Sequence, residues 1–238
     1  MYRISYVDDT NSNGTFDTEQ FTFETSDEGI TIVKDLIFGC STSHKIHGDH
    51  GRPVGRFGLA SQTPTIYISN KFGFRFSYCI GNISNLEYSH NKLILGDDIV
   101  LEGDSTPLNF NKGLIYYVTL KGISVDDKML DIDRNTFKND SDESQVTIDS
   151  STTETWLVTK AYQILQEEIE HHLEGFSVTK SRTVQKWQLC YYGSSRISSG
   201  FHNLNVIGLQ AQQFHNAAFD VVGDKLYFLR IDCDLLEN

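Results

Sequence analysis

The sequence predicts a β-rich fold in which short strands form sheets that pack on one another or close on themselves, with one or two helices. Three observations indicate this fold class. Many short runs alternate apolar and polar residues with a period of two, pairs of turn-forming residues separate some of these runs, and one segment has helical spacing. The 238 residues allow one large domain or two small ones.

The predicted strands and turns follow one another along the chain. Asn13-Gly14 and Gly223-Asp224 each separate two strand-like runs, so we predict a hairpin turn at each pair. The run Asp126-Asp127-Lys128 is predicted as a less favourable turn, because it requires aspartate to adopt conformations that glycine adopts freely. The alternation itself is clearest in three places: Phe21 to Phe23, Tyr116 to Val125, and Leu226 to Ile231.

One segment is predicted to be an amphipathic helix, from about Thr159 to Leu173. Apolar residues recur there at helical spacing, and the glutamates between them are expected to form its solvated face. The apolar set is Ala161, Ile164, Leu165, Ile169 and Leu173.

Composition excludes several classes of function. Acidic residues number 32 and basic residues 20, giving a net charge of −12. A nucleic-acid partner is therefore not expected, because duplex binding needs a basic face that releases counterions. Apolar runs also fall short of the length that spans a bilayer, so we predict no membrane span.

Two histidine-containing runs could suggest a metal site, and neither predicts one. His44, His47 and His50 are spaced by three, but nearby Gly and Pro residues disfavour the helix that would bring their rings together. The run at 167–172, EEIEHH, does not place two histidines four residues apart as zinc peptidases require. The four cysteines show no C-x-x-C spacing. We expect neither a metal nor a cofactor.

A short apolar strand ends at Asp149, which four hydroxyl residues follow at once: Ser150, Ser151, Thr152 and Thr153. Such a run is typical of a strand that ends in a capped turn, since these side chains bond their own backbone. It also suits an aspartate held by hydroxyl and amide donors that keep it ionised or let it share a proton.

The segment Ile148 to Thr153, with Thr155-Trp156-Leu157 after it, resembles the second active-site segment of plant pepsin-like aspartic proteases (peptidase family A1), above all the nepenthesin-like and disease-resistance-type enzymes. Further family landmarks follow in the same order over nearly the whole chain: Phe38-Gly39-Cys40, Phe76-Ser77-Tyr78-Cys79, Leu93 to Asp97, Ile207-Gly208-Leu209 with Gln212-Gln213, and Arg230 to Cys233.

The resemblance implies an all-β, bilobal fold and an aspartic-type endopeptidase that acts on peptides or proteins. Asp149 corresponds to the second aspartate of the catalytic dyad, and Tyr6 to the tyrosine of the flap. By this comparison residues 1–112 form a partial N-terminal lobe that starts at the flap. Residues 113–238 form the C-terminal lobe, with a deletion near 193–205.

Two departures from the family pattern bear on activity. Ser151 stands where the family has glycine, and the sequence contains no Asp-Thr-Gly or Asp-Ser-Gly triplet for the first aspartate. A dyad works by sharing one proton between two carboxylates, so we predict that these 238 residues alone have no peptidase activity. The alternative is a non-catalytic binding or inhibitor protein on the same fold.

The resemblance further implies a disulfide between Cys79 and Cys233, whereas Cys40 and Cys190 lose their expected partners. It implies a secreted or vacuolar protein, although the sequence shows no signal peptide. Each chain carries parts of both lobes, so two copies of Asp149 could not meet without a clash, and we predict a monomer. Candidate glycosylation sequons lie at Asn13, Asn82 and Asn139.

Overall fold

The structure is a computed structural model, and it describes residues 1–5, 11–25, 29–45, 55, 57–60, 71–85, 87–111, 115–138, 146–174, 188–189, 197–199 and 205–236. It is mostly strands with one α-helix in this described part, so the predicted all-β class is confirmed. The chain divides into two compact units, residues 1–74 and residues 75–238. The lobe boundary between residues 112 and 113 stays a prediction.

The first unit contains an antiparallel sheet of three strands in its described residues: β1 (Tyr2–Ser5), β2 (Asn11–Glu24) and β3 (Ile30–Lys45), in the order β1-β2-β3. Aromatic side chains contact one another along the sheet. The rings of Phe21 and Phe38, for example, meet edge to face with centroids 5.6 Å apart.

The hairpin turn predicted at Asn13-Gly14 is wrong, because both residues lie inside β2. Gly14 pairs with Tyr2 on one side and with Ser41 on the other, at a shift of register that marks a β-bulge. A Cβ atom on Gly14 would lie 2.0 Å from the carbonyl oxygen of Cys40. The glycine therefore permits a close backbone approach in a bulge.

The second unit contains the other elements. Its α-helix, α1, spans Thr159–His172. Its strands are β4 (Arg75–Cys79), β5 (Lys92–Leu95), β6 (Asp104–Pro107), β7 (Asn109–Asn111), β8 (Ile115–Val118), β9 (Ser124–Val125), β10 (Lys128–Met129), β11 (Val146–Ile148), β12 (Thr155–Leu157), β13 (Gln188–Leu189), β14 (Ile197–Ser199), β15 (Val206–Ile207), β16 (His215–Asp220) and β17 (Lys225–Arg230).

A five-stranded antiparallel sheet, counted over the described residues, has the order β5-β4-β16-β17-β6. Strand β4 therefore pairs with β16, from the far end of the chain. Successive side chains of a strand point to opposite faces, so Phe76 and Tyr78 share one face of β4. Phe76 stacks on Phe219 with ring centroids 4.5 Å apart, and Tyr116 adds its ring at 5.0 Å from Phe219.

The opposite face of β4 carries the disulfide. Cys79 is bonded to Cys233, the pair that the resemblance implies, and both residues are fully buried. Cys233 begins a short 3₁₀ helix, Cys233–Leu235, so the bond fixes this C-terminal segment to the sheet. Cys40 is an exposed free thiol, and Cys190 lies outside the described residues.

A second sheet holds β11, which leads to Asp149. Seven strands form it in the part of the chain that the structure describes, in the order β13-β14-β12-β15-β11-β8-β7. Strand β15 runs parallel to β11, with Thr147 opposite Val206 and Ile148 opposite Ile207. Their side chains are buried or nearly so, which is typical of parallel strands at the centre of a sheet.

The predicted helix is confirmed within one residue of its end. Of the predicted apolar set it buries Ala161 and Leu165, while Ile164, Ile169 and Leu173 are only partly buried; Tyr162, which was not in that set, is buried as well. Just before its first turn, the backbone N–H of Val158 donates to the Asn205 side-chain oxygen at 3.0 Å. No helix in the described residues is long and apolar enough to cross a membrane.

The two other predicted turns are confirmed. Gly223-Asp224 joins β16 to β17, and Asp126-Asp127 joins β9 to β10, whereas Lys128, which was also predicted in that turn, begins β10. Asp224 and Asp126 both have positive φ angles, +51° and +48°. The strain expected at Asp126 is therefore present, because that region of φ favours glycine.

Candidate active site

Asp149 lies at the end of β11, where two parallel strands finish side by side. Its backbone N–H donates to the carbonyl oxygen of Ile207 at 3.2 Å, which continues the ladder of β11 and β15 by one bond. The side chain is half-buried. A carboxylate is thus held at the exit of a rigid strand pair and not on a free loop.

The residues after Asp149 hold its carboxylate. Oδ1 accepts the backbone N–H of Ser151 at 2.8 Å and the Ser151 hydroxyl at 2.7 Å. Oδ2 accepts the Thr152 hydroxyl at 2.6 Å. Both interpretations of the sequence apply to this turn. The Asp149 side chain caps the backbone that follows it, and it also accepts hydrogen bonds from two hydroxyl groups.

These three hydrogen bonds leave the Asp149 carboxylate few free acceptor positions. A carboxylate accepts about four hydrogen bonds through the lone pairs of its two oxygens. In the described residues, Ser151 supplies both donors to Oδ1, and Thr152 supplies one to Oδ2. The open acceptor position is therefore on Oδ2. The Ser151 hydroxyl exists only because serine replaces the glycine of the family pattern.

The segment after β15 packs against this turn and fixes its path. The backbone N–H of Leu209 donates to the Thr152 carbonyl oxygen at 2.7 Å, and that of Gln210 to the Thr153 carbonyl oxygen at 3.0 Å. Gly208 makes the approach possible, since a Cβ atom there would lie 2.1 Å from the carbonyl oxygen of Glu154.

The Gln212 side chain links the ends of β11 and β15 by hydrogen bonds. It is almost completely buried, and its Nε2 donates to the carbonyl oxygens of Ile207, at 2.8 Å, and Asp149, at 3.3 Å. Its Oε1 accepts the hydroxyl of Tyr78, from β4 of the other sheet. A buried hydrogen-bond chain therefore runs from the five-stranded sheet to the backbone of Asp149.

The surroundings of Tyr78 show how near it is to the carboxylate. Burial raises the pKa of Tyr78 well above its usual value, and the negative charge of Asp149 raises it further. A hydrogen bond with the Ser150 side chain acts in the opposite direction. The phenol is thus kept neutral beside the acidic turn, where it can donate a hydrogen bond.

The sequence predictions for this region have mixed outcomes. The structure brings together Asp149, Ser151 and Thr152, and it places Ser150 beside Tyr78. Tyr6, the flap tyrosine of the resemblance, lies outside the described residues, as does Asn139. Sequence reasoning quoted Tyr78 and Gln212 only as family landmarks and missed their link to Asp149.

The remaining predicted sites are spread over the surface. Asn82 is exposed, and its side-chain oxygen accepts the backbone N–H of Ser84 at 3.0 Å. Asn13 lies within β2, paired with Arg3. Glycosylation at both stays a prediction. Within the described ranges, His, Cys, Asp and Glu form no group that could hold a metal ion, and His47 and His50 lie outside these ranges.

Comparisons with protein families agree with this architecture. A family model described as xylanase inhibitor N-terminal matches residues 1–97, and one described as xylanase inhibitor C-terminal matches residues 115–202. In the solved structure of conglutin gamma, a basic 7S globulin from lupine seeds, the same fold recurs: the TM-score is 0.70 at 14% identity, covering 100% of this chain and 76% of that one. Basic 7S globulin from soybean gives a TM-score of 0.68 at 16% identity, covering 99% and 75%.

The curated relatives are plant proteases. The chain is 26% identical to aspartyl protease UND of Arabidopsis thaliana over 98% of its own length and 65% of that protein. It is 30% identical to aspartic proteinase nepenthesin-1 of Nepenthes gracilis over 71% of its length and 38% of that protein. The chain thus spans less than two thirds of either relative. With the fold, the Asp149 turn and these matches together, the chain belongs to the family of plant pepsin-like aspartic proteases.

Proposed function

We propose that Asp149 is one of the two carboxylates of an aspartic endopeptidase site, and that these 238 residues alone do not hydrolyse peptides. The observation that carries the proposal is the turn itself. It holds one carboxylate by the Ser151 N–H and the Thr152 hydroxyl, at the end of a rigid strand pair.

The chemistry requires a second carboxylate close to the first. Two neighbouring carboxyl groups share a proton, because both cannot ionise easily at short distance. The ionised group takes a proton from the attacking water, and the protonated group polarises the scissile carbonyl. One carboxylate cannot serve both roles at once, and the sequence contains no Asp-Thr-Gly or Asp-Ser-Gly triplet, since Asp149 itself is followed by Ser150-Ser151.

The test compares the 238-residue chain with the product of the longest transcript that contains it. We expect the chain alone to leave peptides intact at acid pH. A longer product that supplies an Asp-Thr-Gly segment should cleave them, and Asp149→Ala should abolish that cleavage. Pepstatin-sensitive hydrolysis by the chain alone, lost in Asp149→Ala, would show that the requirement for a second carboxylate is wrong.

A second candidate is a non-catalytic protein that binds a glycosidase. Two observations favour it: the matching family models are described as xylanase inhibitor domains, and the Ser151 hydroxyl occupies Oδ1 of Asp149. This candidate predicts a stoichiometric complex with a xylanase that survives gel filtration and is unaffected by Asp149→Ala. If no complex with a xylanase forms, this candidate fails.

A further inference from the structure

We propose that Tyr78 and Gln212 are positioning residues that set the direction of the Asp149 carboxylate through its backbone. This inference rests on the proposed function of Asp149. It assigns a role to two residues from separate sheets, neither of which touches the carboxylate oxygens directly. We call the chain of bonds from the Tyr78 hydroxyl through the Gln212 side chain to the Asp149 and Ile207 carbonyls the Tyr78–Gln212 link.

The first step of the argument is the placement of the Gln212 amide group. Its Nε2 donates to carbonyl oxygens at the ends of both parallel strands, on Ile207 and on Asp149. In that position the amide fixes the peptide plane that follows Asp149. The Ser151 N–H, which donates to Oδ1 of Asp149, belongs to the same turn two residues later. Rotation of that plane would move the donor away from the carboxylate.

The second step is the orientation of the amide itself. An amide side chain can be turned so that its oxygen and nitrogen exchange places. The two carbonyl oxygens can only accept, so Nε2 must face them, and Oε1 then faces the Tyr78 hydroxyl, which donates to it. Tyr78 is itself held by its ring, 5.8 Å from that of Phe219 in the aromatic cluster.

The third step is burial. Gln212 is 1% exposed and Tyr78 is 6% exposed, so water does not replace a bond lost between them. Buried polar networks of this kind are costly when partly satisfied. We therefore expect the link to adopt a single arrangement, which also fixes the conformation of the turn after Asp149.

Amide hydrogen exchange of the 238-residue chain tests the link without any need for hydrolysis. Tyr78→Phe keeps the ring and removes the hydroxyl, and Gln212→Leu removes the amide. We expect exchange at the Ser151 N–H to accelerate roughly tenfold in Tyr78→Phe, the effect of one lost buried hydrogen bond, and further in Gln212→Leu. Amides in the middle of β16 should keep their wild-type rates.

The matched control is Tyr116→Phe. Tyr116 is a half-buried tyrosine of the same aromatic cluster, with its ring 5.0 Å from Phe219, and its pKa is raised by burial, with no contribution from Asp149. We expect this variant to leave exchange at Ser151 unchanged. Equal acceleration in Tyr116→Phe, or equal acceleration throughout β16, would overturn the proposal, because the role would then be general packing.

A conservative variant adds a pH profile that a packing role would not produce. In Gln212→Glu, the introduced group is neutral at low pH, where it can accept from Tyr78 and donate to a carbonyl. Burial raises the pKa of this group, so it ionises only at alkaline pH, where it cannot donate and repels both carbonyls. We expect near-normal protection of the Ser151 N–H at pH 3 and loss of protection at pH 10, relative to wild type at each pH. The same loss at both values would overturn the proposal.

These outcomes are separate from those of the proposed function. If the link behaves as expected and a longer product still fails to hydrolyse peptides, the endopeptidase proposal fails and the link stands. If a longer product is active, the link predicts that Tyr78→Phe lowers kcat and leaves KM unchanged, while Tyr116→Phe alters neither. An unchanged kcat in Tyr78→Phe would refute the positioning role in catalysis.

Discussion

At the scale of single residues, the exchange of one glycine for serine changes what a carboxylate can do. The Ser151 hydroxyl donates to the same oxygen that the Ser151 N–H already occupies. A dyad aspartate needs acceptor positions for a water and for the proton that it shares. The extra hydroxyl takes one of these positions, and the turn keeps its shape without it, because the N–H bond and the Thr152 bond remain.

Removal of this hydroxyl is expected to raise activity. In a longer product that supplies the second aspartate, Ser151→Gly and Ser151→Ala should both increase kcat at acid pH, by roughly tenfold for one competing hydrogen bond. The alanine variant is the control for added backbone freedom. If neither variant exceeds the parent, the hydroxyl does not compete with the water.

Gly208 is a residue whose replacement should damage the site through the backbone. In Gly208→Ala, the added methyl group would meet the Glu154 carbonyl at 2.1 Å, so the turn after Asp149 must move. We expect the free energy of unfolding to fall by about 2–4 kcal/mol, as for other severe local clashes. Urea denaturation measures this loss.

The matched control is Gly55→Ala, since no atom of the residues that the structure describes lies within 4 Å of the position that its Cβ atom would take. We expect this variant to be nearly neutral. A Gly208→Ala protein as stable as Gly55→Ala would mean that the close approach at Glu154 is easily relieved.

At the scale of elements, the pairing of β4 with β16 brings together segments far apart in the chain. Cys79 and Cys233 are 154 residues apart, and their bond closes the loop between them. In the chain-entropy model a loop of that length stabilises the folded state by about 4–5 kcal/mol. This bond therefore supplies a substantial share of the stability of the second unit.

Replacement of both cysteines should show this contribution. We expect the Cys79→Ala/Cys233→Ala double variant to lose about 4–5 kcal/mol of unfolding free energy under oxidising conditions. Cys40→Ala, which removes the exposed free thiol, is the control and should be neutral. Equal stability of the double variant and the parent would show that the bond does not form.

The elements also show how far the sequence could predict this fold. Helix α1 was predictable because its apolar spacing is local, and the turns at Asp126 and Asp224 because their flanking runs alternate. The prediction of a turn at Asn13-Gly14 was wrong because glycine occurs in β-bulges as well as in turns. The strand pairing that distinguishes a bulge from a turn here involves β1 and β3. The Tyr78–Gln212 link joins residues 134 positions apart, so no local pattern could indicate it.

At the scale of the whole molecule, we expect Tyr78, which is buried, and Tyr116, which is half-buried, to contribute to the response to alkaline pH. Tyr78 and Tyr116 have pKa values raised above the ordinary 10.0, chiefly because burial disfavours their charged form. A raised folded pKa means that the unfolded chain loses its protons first as the pH rises. The stabilisation is complete below the unfolded value and is lost as the pH rises from there toward the folded value.

We expect the unfolding free energy to fall above pH 10 by about 1.4 kcal/mol per pH unit for each of these two tyrosines. A Tyr78→Phe/Tyr116→Phe double variant should lose less stability than the parent between pH 10 and pH 11.5, measured by urea denaturation. If both proteins weaken at the same rate, other groups control the alkaline transition.

The partnership of β4 with β16 has a consequence for biosynthesis. Cys79 leaves the ribosome 154 residues ahead of Cys233. At about 5–20 residues per second, the interval is on the order of ten seconds. During this interval Phe76 and Tyr78 have been translated and Phe219 has not. The aromatic face of β4 is therefore present before β16, the strand that pairs with it. The Cys79–Cys233 bond can therefore form only after Cys233 has been translated and has left the ribosome.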